Sequence, residues 1–382
     1  VLFRSFQVSM DRSALLNQLL ATDTYDIAII GGGATGLGVA LDATLRGYKV
    51  VLLEAHDFAK GTSSRATKLV HGGVRYLAQG NLSLVKEALH ERGVLLHNAP
   101  HIAQPLAFVM PSYKWWETAF YGIGLMIYDL LAGKSAIGST EFLSKEQVLE
   151  RLPEVQSKGL RGGVQYWDGQ FDDARLAIEI ARTAHSKGAH LLNYCKVDSI
   201  LHQHEKVAGL TCQDKESKRL FNIKADCVIN ATGVWVDGIR SKDAEISGEK
   251  IEPLLTPSQG VHLVVDRSFL SQDCALLVPS TQDGRVLFAV PWLGKVILGT
   301  TDTPRTDLPI EPLPFKQEVD FILKESARYF TKAPTSQDVR SVWVGLRPLV
   351  KPHNTVSGST KGISREHTIL MSKSGLVTVT GG

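Results

Sequence analysis

The chain has 382 residues, of which 43% are hydrophobic and 21% charged, a composition typical of a globular protein with room for two domains. Its 42 Lys and Arg residues face 39 Asp and Glu residues, and the resulting net charge of +3 argues against a nucleic-acid-binding protein. The four cysteines are scattered without a C-x-x-C pair. They predict neither a disulfide framework nor a metal site, and they fit a reducing cytoplasm.

Two segments bear on targeting. The first nine residues are too short for a secretory signal, and Met10 is a plausible start of the natural chain. The most apolar segment, TAFYGIGLMIY at 118–128, has eleven uncharged residues. That is fewer than the roughly 20 needed to cross a bilayer. It predicts a buried helix, with a surface that enters the membrane interface as the alternative. Trp115 and Trp116, just before it, are predicted to lie in the core.

The chain opens with a βαβ pattern. YDIAII at 25–30 predicts a buried strand, GGGATG follows it, a helix is predicted over 35–46, and KVVLLE at 49–54 predicts a second strand. Further helices are predicted over 82–98 and 176–187 because their apolar residues recur at helical spacing.

The rest of the chain is richer in predicted strands. Short strand-like runs occupy 190–230, and β-branched and apolar residues alternate over 250–310, which indicates an antiparallel sheet. A helix is predicted over 315–329, before a last group of strands in 340–382. No low-complexity linker separates these parts, so we expect two interleaved domains.

A glycine-rich turn follows the first predicted strand. Gly31, Gly33 and Gly36 form the pattern G-x-G-x-x-G at the start of a helix. The first glycine permits a tight turn, the second lets a pyrophosphate approach the backbone, and the third lets the helix pack on the strand. Glu54 ends the second strand, where a carboxylate accepts hydrogen bonds from ribose hydroxyls. These features predict a dinucleotide site at the helix N-terminus.

Two later segments favour FAD over NAD as this dinucleotide. CVINATGVW at 227–235 is a predicted strand that ends in Ala-Thr-Gly, and GTSSRATKLVHGG at 61–73 follows the acidic strand after a short gap. The hydroxyls of Thr62, Ser63 and Ser64 are expected to bond the pyrophosphate, with a helix cap as the alternative. The glycines near residue 72 are expected to lie along a flavin ring, since side chains there would push the ring away.

These motifs together resemble those of a known family, the FAD-dependent glycerol-3-phosphate dehydrogenases. The resemblance covers about 25–382 and is carried by GGGATGLG, TSSRATKLVHGGVRYL, FDDARL, NATGVWV, GTTD and GLRPL, in this order. Its most specific pieces are KLVHGGVRYL and FDDARL. The resemblance implies oxidation of sn-glycerol 3-phosphate to dihydroxyacetone phosphate, with electrons passed from FAD to a quinone. It also implies a cytoplasmic location, peripheral on the inner face of the cell membrane.

The implied fold is α/β (α+β), with a Rossmann-like FAD-binding domain of the two-dinucleotide-binding type interleaved with an antiparallel-sheet substrate domain. We expect the FAD-binding domain to comprise 24–110, 190–245 and 340–382, and the substrate domain 111–189 and 246–339. The family has a C-terminal helical domain, and a lysine follows its second glycine pair. We expect this chain, which ends at that pair, to lack both and to be inactive alone.

The resemblance also implies site residues. The substrate-binding residues implied are Arg75, Tyr76, His262, Arg347 and Arg365, and of these His262 and Arg347 are the catalytic candidates. The cofactor-binding residues implied are Gly31, Gly33, Ala34, Thr35, Gly36, Glu54, Thr62, Ser63, Ser64, Thr67, Leu69, His71, Gly72, Gly73, Val197, Ala231, Thr232, Gly233, Gly381 and Gly382.

Several alternatives stay open. His262 lies in an apolar strand and is either a base for the C2 hydroxyl, with a pKa near 6.5 as its residue type suggests, or a core histidine. Arg365 lies beside Glu366 and is either a phosphate ligand or part of a surface ion pair. The runner-up functions are an oxidase that uses oxygen and an FAD enzyme that oxidises an amine or a 2-hydroxy acid. A carboxylate substrate needs one Arg fork, so several arginines favour a phosphate ester.

Overall fold

The computed structural model describes residues 10–77, 80–282, 284–351 and 367–381, without the side chain of Arg75. Its strands form one eight-stranded and one ten-stranded sheet. The α-helices of these residues are α1 (Arg12–Ala21), α2 (Ala34–Leu45), α3 (Val74–Leu77), α4 (Leu82–Asn98), α5 (Glu117–Ala132), α6 (Lys145–Arg151), α7 (Asp173–Ser186), α8 (Val236–Ser247) and α9 (Lys316–Ser326).

The eight-stranded sheet has a parallel centre. Its strands are β1 (Tyr25–Ile30), β2 (Val50–Leu53), β7 (His190–Leu192), β8 (Cys195–Gln203), β9 (Lys206–Asp214), β10 (Leu220–Asn230), β17 (His367–Met371) and β18 (Val377–Gly381). The parallel order is β18-β10-β1-β2-β7, while β17 and the β8-β9 pair join it antiparallel. The continuous apolar runs of β1 and β2 suit this position because both faces of a parallel sheet are covered.

The two faces of this sheet pack against different elements. Ile29 and Leu52 contribute to a core cluster with the alanines of α2 and α7. The neighbouring residues Ile30 and Leu53 point to the opposite face and pack with Leu15 of α1 and with β8 and β9. This alternation is the period of two that a strand imposes on its side chains.

The ten-stranded sheet carries the other half of the core. Its strands are β3 (Leu69–Val70), β4 (Ala103–Ser112), β5 (Glu141–Leu143), β6 (Gly162–Phe171), β11 (Ser258–Asp266), β12 (Cys274–Val278), β13 (Leu287–Trp292), β14 (Lys295–Gly299), β15 (Thr303–Pro304) and β16 (Ser341–Arg347). All its pairings are antiparallel except that of β12 with β4. The mixture of the two sheets agrees with the predicted fold class.

The predicted elements are mostly found where the sequence places them. The strand predicted over 25–30 and the helix predicted over 82–98 are observed with the same bounds as β1 and α4. The predicted division into two domains stays a prediction. Within its FAD-binding part, β4 and β16 pair inside the ten-stranded sheet.

The apolar segment 118–128 is a helix, α5, but it is buried on only one face. Leu125 and Tyr128 are buried, whereas Phe120 and Leu130 are 62% and 80% exposed. Trp115 and Trp116, predicted to lie in the core, are 82% and 38% exposed. The predictions of a fully buried helix and of buried tryptophans before it are therefore both corrected. Within the described ranges, no helix combines the length and the apolar character needed to cross a bilayer.

Candidate active site

The glycine-rich turn joins β1 to α2, and each of its three glycines has a reason visible in the packing. Gly31 has φ +111°, and a Cβ there would lie 2.5 Å from the carbonyl oxygen of Ala231. A Cβ on Gly36 would lie 2.0 Å from the carbonyl oxygen of Gly31, so only glycine allows α2 to approach the strand this closely. Gly33 is the N-cap residue of α2 and has no side chain to block its first backbone N–H groups. The turn therefore has the shape that a pyrophosphate requires.

Glu54 directly follows β2 and orders the same turn. Its carboxylate accepts hydrogen bonds from the backbone N–H of Gly32 and of His56, both at 2.7 Å. A carboxylate has about four lone-pair sites, so these two bonds leave acceptor capacity for ribose hydroxyls. The predicted role of Glu54 is therefore compatible with its position.

The hydroxyl-rich stretch after Gly61 faces two directions. The Oγ atom of Ser63 accepts a hydrogen bond of 2.9 Å from the backbone N–H of Ala34, at the first turn of α2. The Thr62 hydroxyl instead donates to the carbonyl of Leu346 in β16, at 2.6 Å. Ser63 is thus close to the predicted pyrophosphate position together with Ala34 and Thr35, whereas Thr62 ties the stretch to the other sheet.

The Ala-Thr-Gly segment follows β10 and lies beside the glycine-rich turn. The backbone N–H of Ala231 donates to the carbonyl of Ile30, at 2.9 Å. The Thr232 hydroxyl donates to the Asn230 side chain, at 2.7 Å, and Gly233 has φ +59°. This segment therefore forms one wall of the turn. Val197 of β8 is buried in the core on the far face of the sheet.

The loop at Gly72 and Gly73 is shaped by protein neighbours. A Cβ on Gly72 would lie 2.5 Å from both the Tyr128 hydroxyl oxygen and a methyl carbon of Leu89. A Cβ on Gly73 would lie 2.4 Å from the ring of Tyr76. These contacts give the two glycines a reason beyond the predicted flavin ring. The adjacent His71 accepts a hydrogen bond on Nδ1 from the N–H of Gly73, at 3.0 Å.

A buried ion pair supports this loop from below. Asp168 accepts hydrogen bonds from Arg92, at 2.9 Å, and from the Tyr128 hydroxyl, at 2.8 Å. Its Oδ1 also lies 3.4 Å from the backbone nitrogen of Gly72. Burial and the Asp168 carboxylate raise the pKa of Tyr128 well above its usual value. The tyrosine is therefore neutral and donates to the carboxylate.

A cavity of about 760 Å³ lies between this loop, α5 and the ten-stranded sheet. Its polar lining includes His71, Tyr76, Arg285 and Arg347. Its apolar lining includes Phe108, Met110, Leu125, Leu277 and Phe288. A second cavity of about 200 Å³ shares Thr67, Leu69, His71, Phe288 and Arg347 with the first and adds His262. Of the predicted substrate residues, Tyr76 thus lines the large cavity, His262 lines the small one, and Arg347 lines both.

Arg347 ends β16 and points into this space. One terminal nitrogen, Nη1, donates to the carbonyl of Thr301 at 3.0 Å and lies 3.6 Å from the Asp302 carboxylate. The other, Nη2, donates to the Thr300 hydroxyl at 3.1 Å. Gly260 lies under the guanidinium, where a Cβ would lie 2.4 Å from Nη2. The guanidinium is therefore fixed in place by its neighbours.

His262 of β11 is buried beside this guanidinium. Its Nε2 is hydrogen-bonded to the Thr67 hydroxyl at 2.8 Å, and its ring stacks on Trp343 at 5.2 Å between centroids. Burial, with help from the positive charges of Arg347 and Lys68, lowers the pKa of His262 to about 3. The imidazole is therefore neutral at pH 7. Its pKa is well below the value near 6.5 expected from its residue type.

Three predicted site residues lie wholly or partly outside the described part of the chain. Arg75 lies in α3, but its side chain is outside the described part, and Arg365 and Gly382 lie outside the described residues. Gly381 ends β18 with φ +88°.

The sequence assigns no site role to two residues that shape the site, Asp173 and Arg285. Asp173 accepts from Lys68 at 2.5 Å and from the N–H of Ala66 at 2.9 Å, so it holds the stretch before the histidine loop. The sequence predicts a helix cap with a structural ion pair at Asp172, Asp173 and Arg175; Asp172 caps α7, and Asp173 pairs with Lys68. Arg285 lines the large cavity, and its only sequence signal is its place in a turn between two strands.

Comparison with known proteins identifies the family of this fold. Residues 26–382 match the family described as FAD dependent oxidoreductase. The chain belongs to the FAD-dependent oxidoreductase family. This membership confirms the predicted cofactor, FAD. The glycine-rich turn with Glu54, and the open backbone at Gly33 beside Ser63, fit this cofactor.

The individual relatives are dehydrogenases of one kind. The chain is 44% identical to the mitochondrial glycerol-3-phosphate dehydrogenase of Rattus norvegicus, over 97% of this chain and 52% of the relative. It is 40% identical to that of Schizosaccharomyces pombe, over 97% of this chain and 60% of the relative. The chain thus spans little more than half the length of these curated relatives.

A solved structure agrees with the sequence relatives. The glycerol-3-phosphate dehydrogenase from Bacillus halodurans, complexed with FAD, superimposes with a TM-score of 0.77 at 34% identity. The match covers 97% of this chain and 63% of that one. The resemblance drawn from KLVHGGVRYL and FDDARL is therefore confirmed.

Proposed function

We propose that this protein oxidises sn-glycerol 3-phosphate to dihydroxyacetone phosphate with FAD, and that a quinone at a membrane surface takes up the electrons. The observation that carries the proposal is one cavity in which Arg347, Tyr76 and the His71 loop meet, in a chain whose relatives at 44% identity are named glycerol-3-phosphate dehydrogenases.

The cationic end of the cavity suits the phosphate. Glycerol 3-phosphate carries nearly two negative charges, and a guanidinium binds such a group through two parallel hydrogen bonds. Arg347 is held by Thr300 and Thr301, so little side-chain freedom is lost on binding. Tyr76 lines the same cavity and offers a hydroxyl, and Arg75 and Arg365 remain proposed as further ligands.

His262 is proposed to accept the proton of the C2 hydroxyl. When bound, FAD supplies the acceptor for the hydride that leaves C2. The imidazole must be neutral to accept a proton, and its lowered pKa satisfies this at pH 7. The same shift makes it a weak base, and a phosphate dianion nearby would raise its pKa again because an opposite charge favours the protonated form. Thr67 fixes the ring through Nε2.

The exposed face of α5 supports contact with a membrane. Phe120, Ile123, Met126 and Leu130 are all more than half exposed on this helix. An amphipathic helix with apolar and aromatic residues on one face binds at the boundary of headgroups and acyl chains. Phe120 and Ile123 also line the large cavity, so this face offers an apolar acceptor a route towards the site. A location on the inner face of the cell membrane stays a prediction.

Two alternative functions differ in a measurable way. An oxidase would share the substrate half-reaction and pass electrons to oxygen. An enzyme for an amine or a 2-hydroxy acid would bind a carboxylate. The apolar lining of the cavity favours the quinone, since a quinone ring is apolar and oxygen needs no such wall.

The test is anaerobic bleaching of the flavin absorbance by glycerol 3-phosphate, compared with glycerol and lactate. We expect bleaching by glycerol 3-phosphate alone. Bleaching by lactate but not by glycerol 3-phosphate would overturn the substrate assignment. The reduced protein is then mixed with either a short-chain quinone or oxygen, and faster reoxidation by oxygen would favour the oxidase.

A further inference from the structure

We propose that Glu318 is a positioning residue of this site, which acts through Thr301 to determine where the guanidinium of Arg347 lies. The inference rests on the proposed function, in which Arg347 binds the substrate phosphate. Glu318 belongs to the first turn of α9, and it lines neither of the two cavities. Any effect of Glu318 on the substrate therefore passes through its neighbours.

The carboxylate of Glu318 is only 5% exposed and is surrounded by hydrogen-bond donors. Its Oε2 accepts from the side-chain amide of Gln259 at 2.7 Å and from the backbone N–H of Phe315 at 2.9 Å. Its Oε1 accepts from the hydroxyls of Thr301, at 3.1 Å, and Thr303, at 2.6 Å. A carboxylate can only accept, and it has about four lone-pair sites. All four donors are therefore directed towards it.

The hydroxyl of Thr301 has a fixed orientation because it makes two hydrogen bonds. It donates to Glu318, and it accepts from the backbone N–H of Val261 in β11 at 3.0 Å. The pairing of β11 with β14 ends at His262 opposite Gly299, so this hydroxyl adds one bond just beyond the end of the pairing. The side chain of Thr301 is buried, at 1% exposure, and its position relative to β11 is set by Glu318.

The backbone of Thr301 in turn holds the guanidinium of Arg347. Nη1 of the guanidinium donates to the Thr301 carbonyl at 3.0 Å, and Nη2 donates to the Thr300 hydroxyl at 3.1 Å. Arg347 has further interactions as well. A shift of the Thr301 carbonyl therefore weakens or redirects one of several bonds that determine where the guanidinium lies, and it does so without adding or removing a charge at Arg347.

The consequence for a bound phosphate is geometric. A guanidinium binds phosphate best when its N–H groups and the phosphate oxygens are in plane and parallel. A displacement of about 1 Å in a binding group is enough to cause a large loss. Glu318 itself is bonded by four neutral groups, two hydroxyls, an amide and a backbone N–H. Its contribution is to hold Thr301, and a neutral substrate such as glycerol should be insensitive to it.

The experiment compares Glu318→Gln, Thr301→Val and Thr301→Ser with the wild type, all loaded with FAD. In Glu318→Gln the amide oxygen is required by the N–H donors of Gln259 and Phe315, so its own N–H₂ group faces the Thr301 hydroxyl and cannot accept from it. Thr301→Val removes the hydroxyl and keeps the carbonyl, whereas Thr301→Ser keeps both. The matched control is Thr303→Val, which removes the other hydroxyl bound to the same oxygen of Glu318.

We measure kcat and KM for glycerol 3-phosphate and for glycerol, and the binding of inorganic phosphate from its perturbation of the flavin absorbance. For Glu318→Gln and Thr301→Val we expect KM for glycerol 3-phosphate and the Kd for phosphate to rise about five- to tenfold, less than the loss of a whole charge-assisted contact would cause. Thr301→Ser and Thr303→Val should keep wild-type values, and kcat/KM for glycerol should stay unchanged. Glu318→Gln removes a negative charge, which alone would favour an anion, so a rise in KM identifies lost positioning.

A double-mutant cycle separates positioning from a general structural role. Glu318→Gln combined with Arg347→Gln should bind phosphate no more weakly than Arg347→Gln alone, because residues that act through one another are not additive. A residue that merely stabilised the fold would lower phosphate affinity by the same factor in both backgrounds. Thermal unfolding of each variant shows whether a loss of stability accompanies the change in affinity.

Additive losses in this cycle, or wild-type phosphate affinity in Arg347→Gln or in both Glu318→Gln and Thr301→Val, would overturn the inference. Oxidation of glycerol 3-phosphate by the wild type would still support the proposed function in that case. If Glu318→Gln does not fold, Thr301→Val and its combination with Arg347→Gln decide in the same way. A coupled loss of phosphate affinity in a protein that does not oxidise glycerol 3-phosphate would keep the positioning role and refute the proposed function.

Discussion

The Nε2 atom of His262 and the Oγ1 atom of Thr67 are 2.8 Å apart and share a hydrogen bond. The bond connects β11 of the ten-stranded sheet with the stretch that leads into His71, Gly72 and Gly73. A proposed substrate residue and the loop predicted to lie along the flavin are therefore held in one arrangement. A change at either end of this bond should affect both.

We first predict that His262 makes the folded protein sensitive to acid. Its folded-state pKa of about 3 lies below the ordinary 6.5. Below pH 6.5 the unfolded chain therefore takes up a proton on this imidazole that the folded chain refuses, so stability falls as the pH decreases towards 3. Between pH 7 and pH 5 the free energy of unfolding therefore falls by about 2 kcal/mol, since each pH unit below the unfolded-state pKa costs about 1.36 kcal/mol.

The measurement is the free energy of unfolding in urea at both pH values, for the wild type and for His262→Asn. The acid-induced loss should be smaller in the variant by about that amount. His97→Asn, at an exposed position in the last turn of α4, is the control and should keep the wild-type loss. Equal losses in the wild type and His262→Asn would show that this imidazole protonates normally in the folded state.

Glu54→Gln should release FAD more readily. The carboxylate accepts from two backbone N–H groups, those of Gly32 and His56. An amide can accept from only one of them and turns its own N–H₂ towards the other, so the glycine turn loosens. Each hydrogen bond to a charged acceptor contributes about 1.5–3 kcal/mol, so FAD affinity should fall at least tenfold. FAD content after dialysis measures this, and Glu87→Gln, an exposed change on α4, should have no effect.

Local elements were predictable because each one repeats a short-range rule. The period of apolar residues in α4 and the glycine spacing after β1 depend on residues only a few positions apart. The pKa of His262 could not be predicted from its residue type, since it depends on burial and on Arg347 and Lys68, which are distant in sequence. Arg285 was missed for the same reason, because only the tertiary fold brings it next to Asp302.

The exposure of α5 shows a second limit. An apolar run such as 118–128 predicts a helix that avoids water, but not which faces of it are covered by other elements. Gly72 is similar, because the sequence predicts a flavin ring next to the glycine but not that Tyr128 and Leu89 lie against it. Composition and spacing predict whether a segment is a helix or a strand. Which residues pack against it depends on the fold of the whole chain.

Gly72→Ala should therefore destabilise the protein even without FAD. The added methyl group would lie 2.5 Å from Tyr128 and Leu89, both buried, and neither can move away without disturbing Asp168 or the α4 core. Overpacking of this kind costs about 1–3 kcal/mol. Thermal unfolding of the FAD-free protein measures it. Gly38→Ala, inside α2 with no atom within 4 Å of the new methyl group, should be neutral or stabilising. A loss seen only in the FAD-bound form would point to the flavin as the neighbour that excludes the side chain.

The exposed face of α5 should determine how the protein meets a membrane. Met126 and Leu130 are exposed and do not line the cavity, so Met126→Ser with Leu130→Ser removes apolar surface without touching the substrate residues. Each buried CH₂ contributes about 0.8 kcal/mol, so the double variant should bind phosphatidylcholine vesicles at least tenfold more weakly. Turnover with a water-soluble dye should stay the same, and turnover with a long-chain quinone in vesicles should fall. Leu313→Ser, which removes an exposed leucine elsewhere, should leave both unchanged. If the double variant binds vesicles and reduces the quinone as the wild type does, then another surface contacts the membrane and the apolar face of α5 has a different partner.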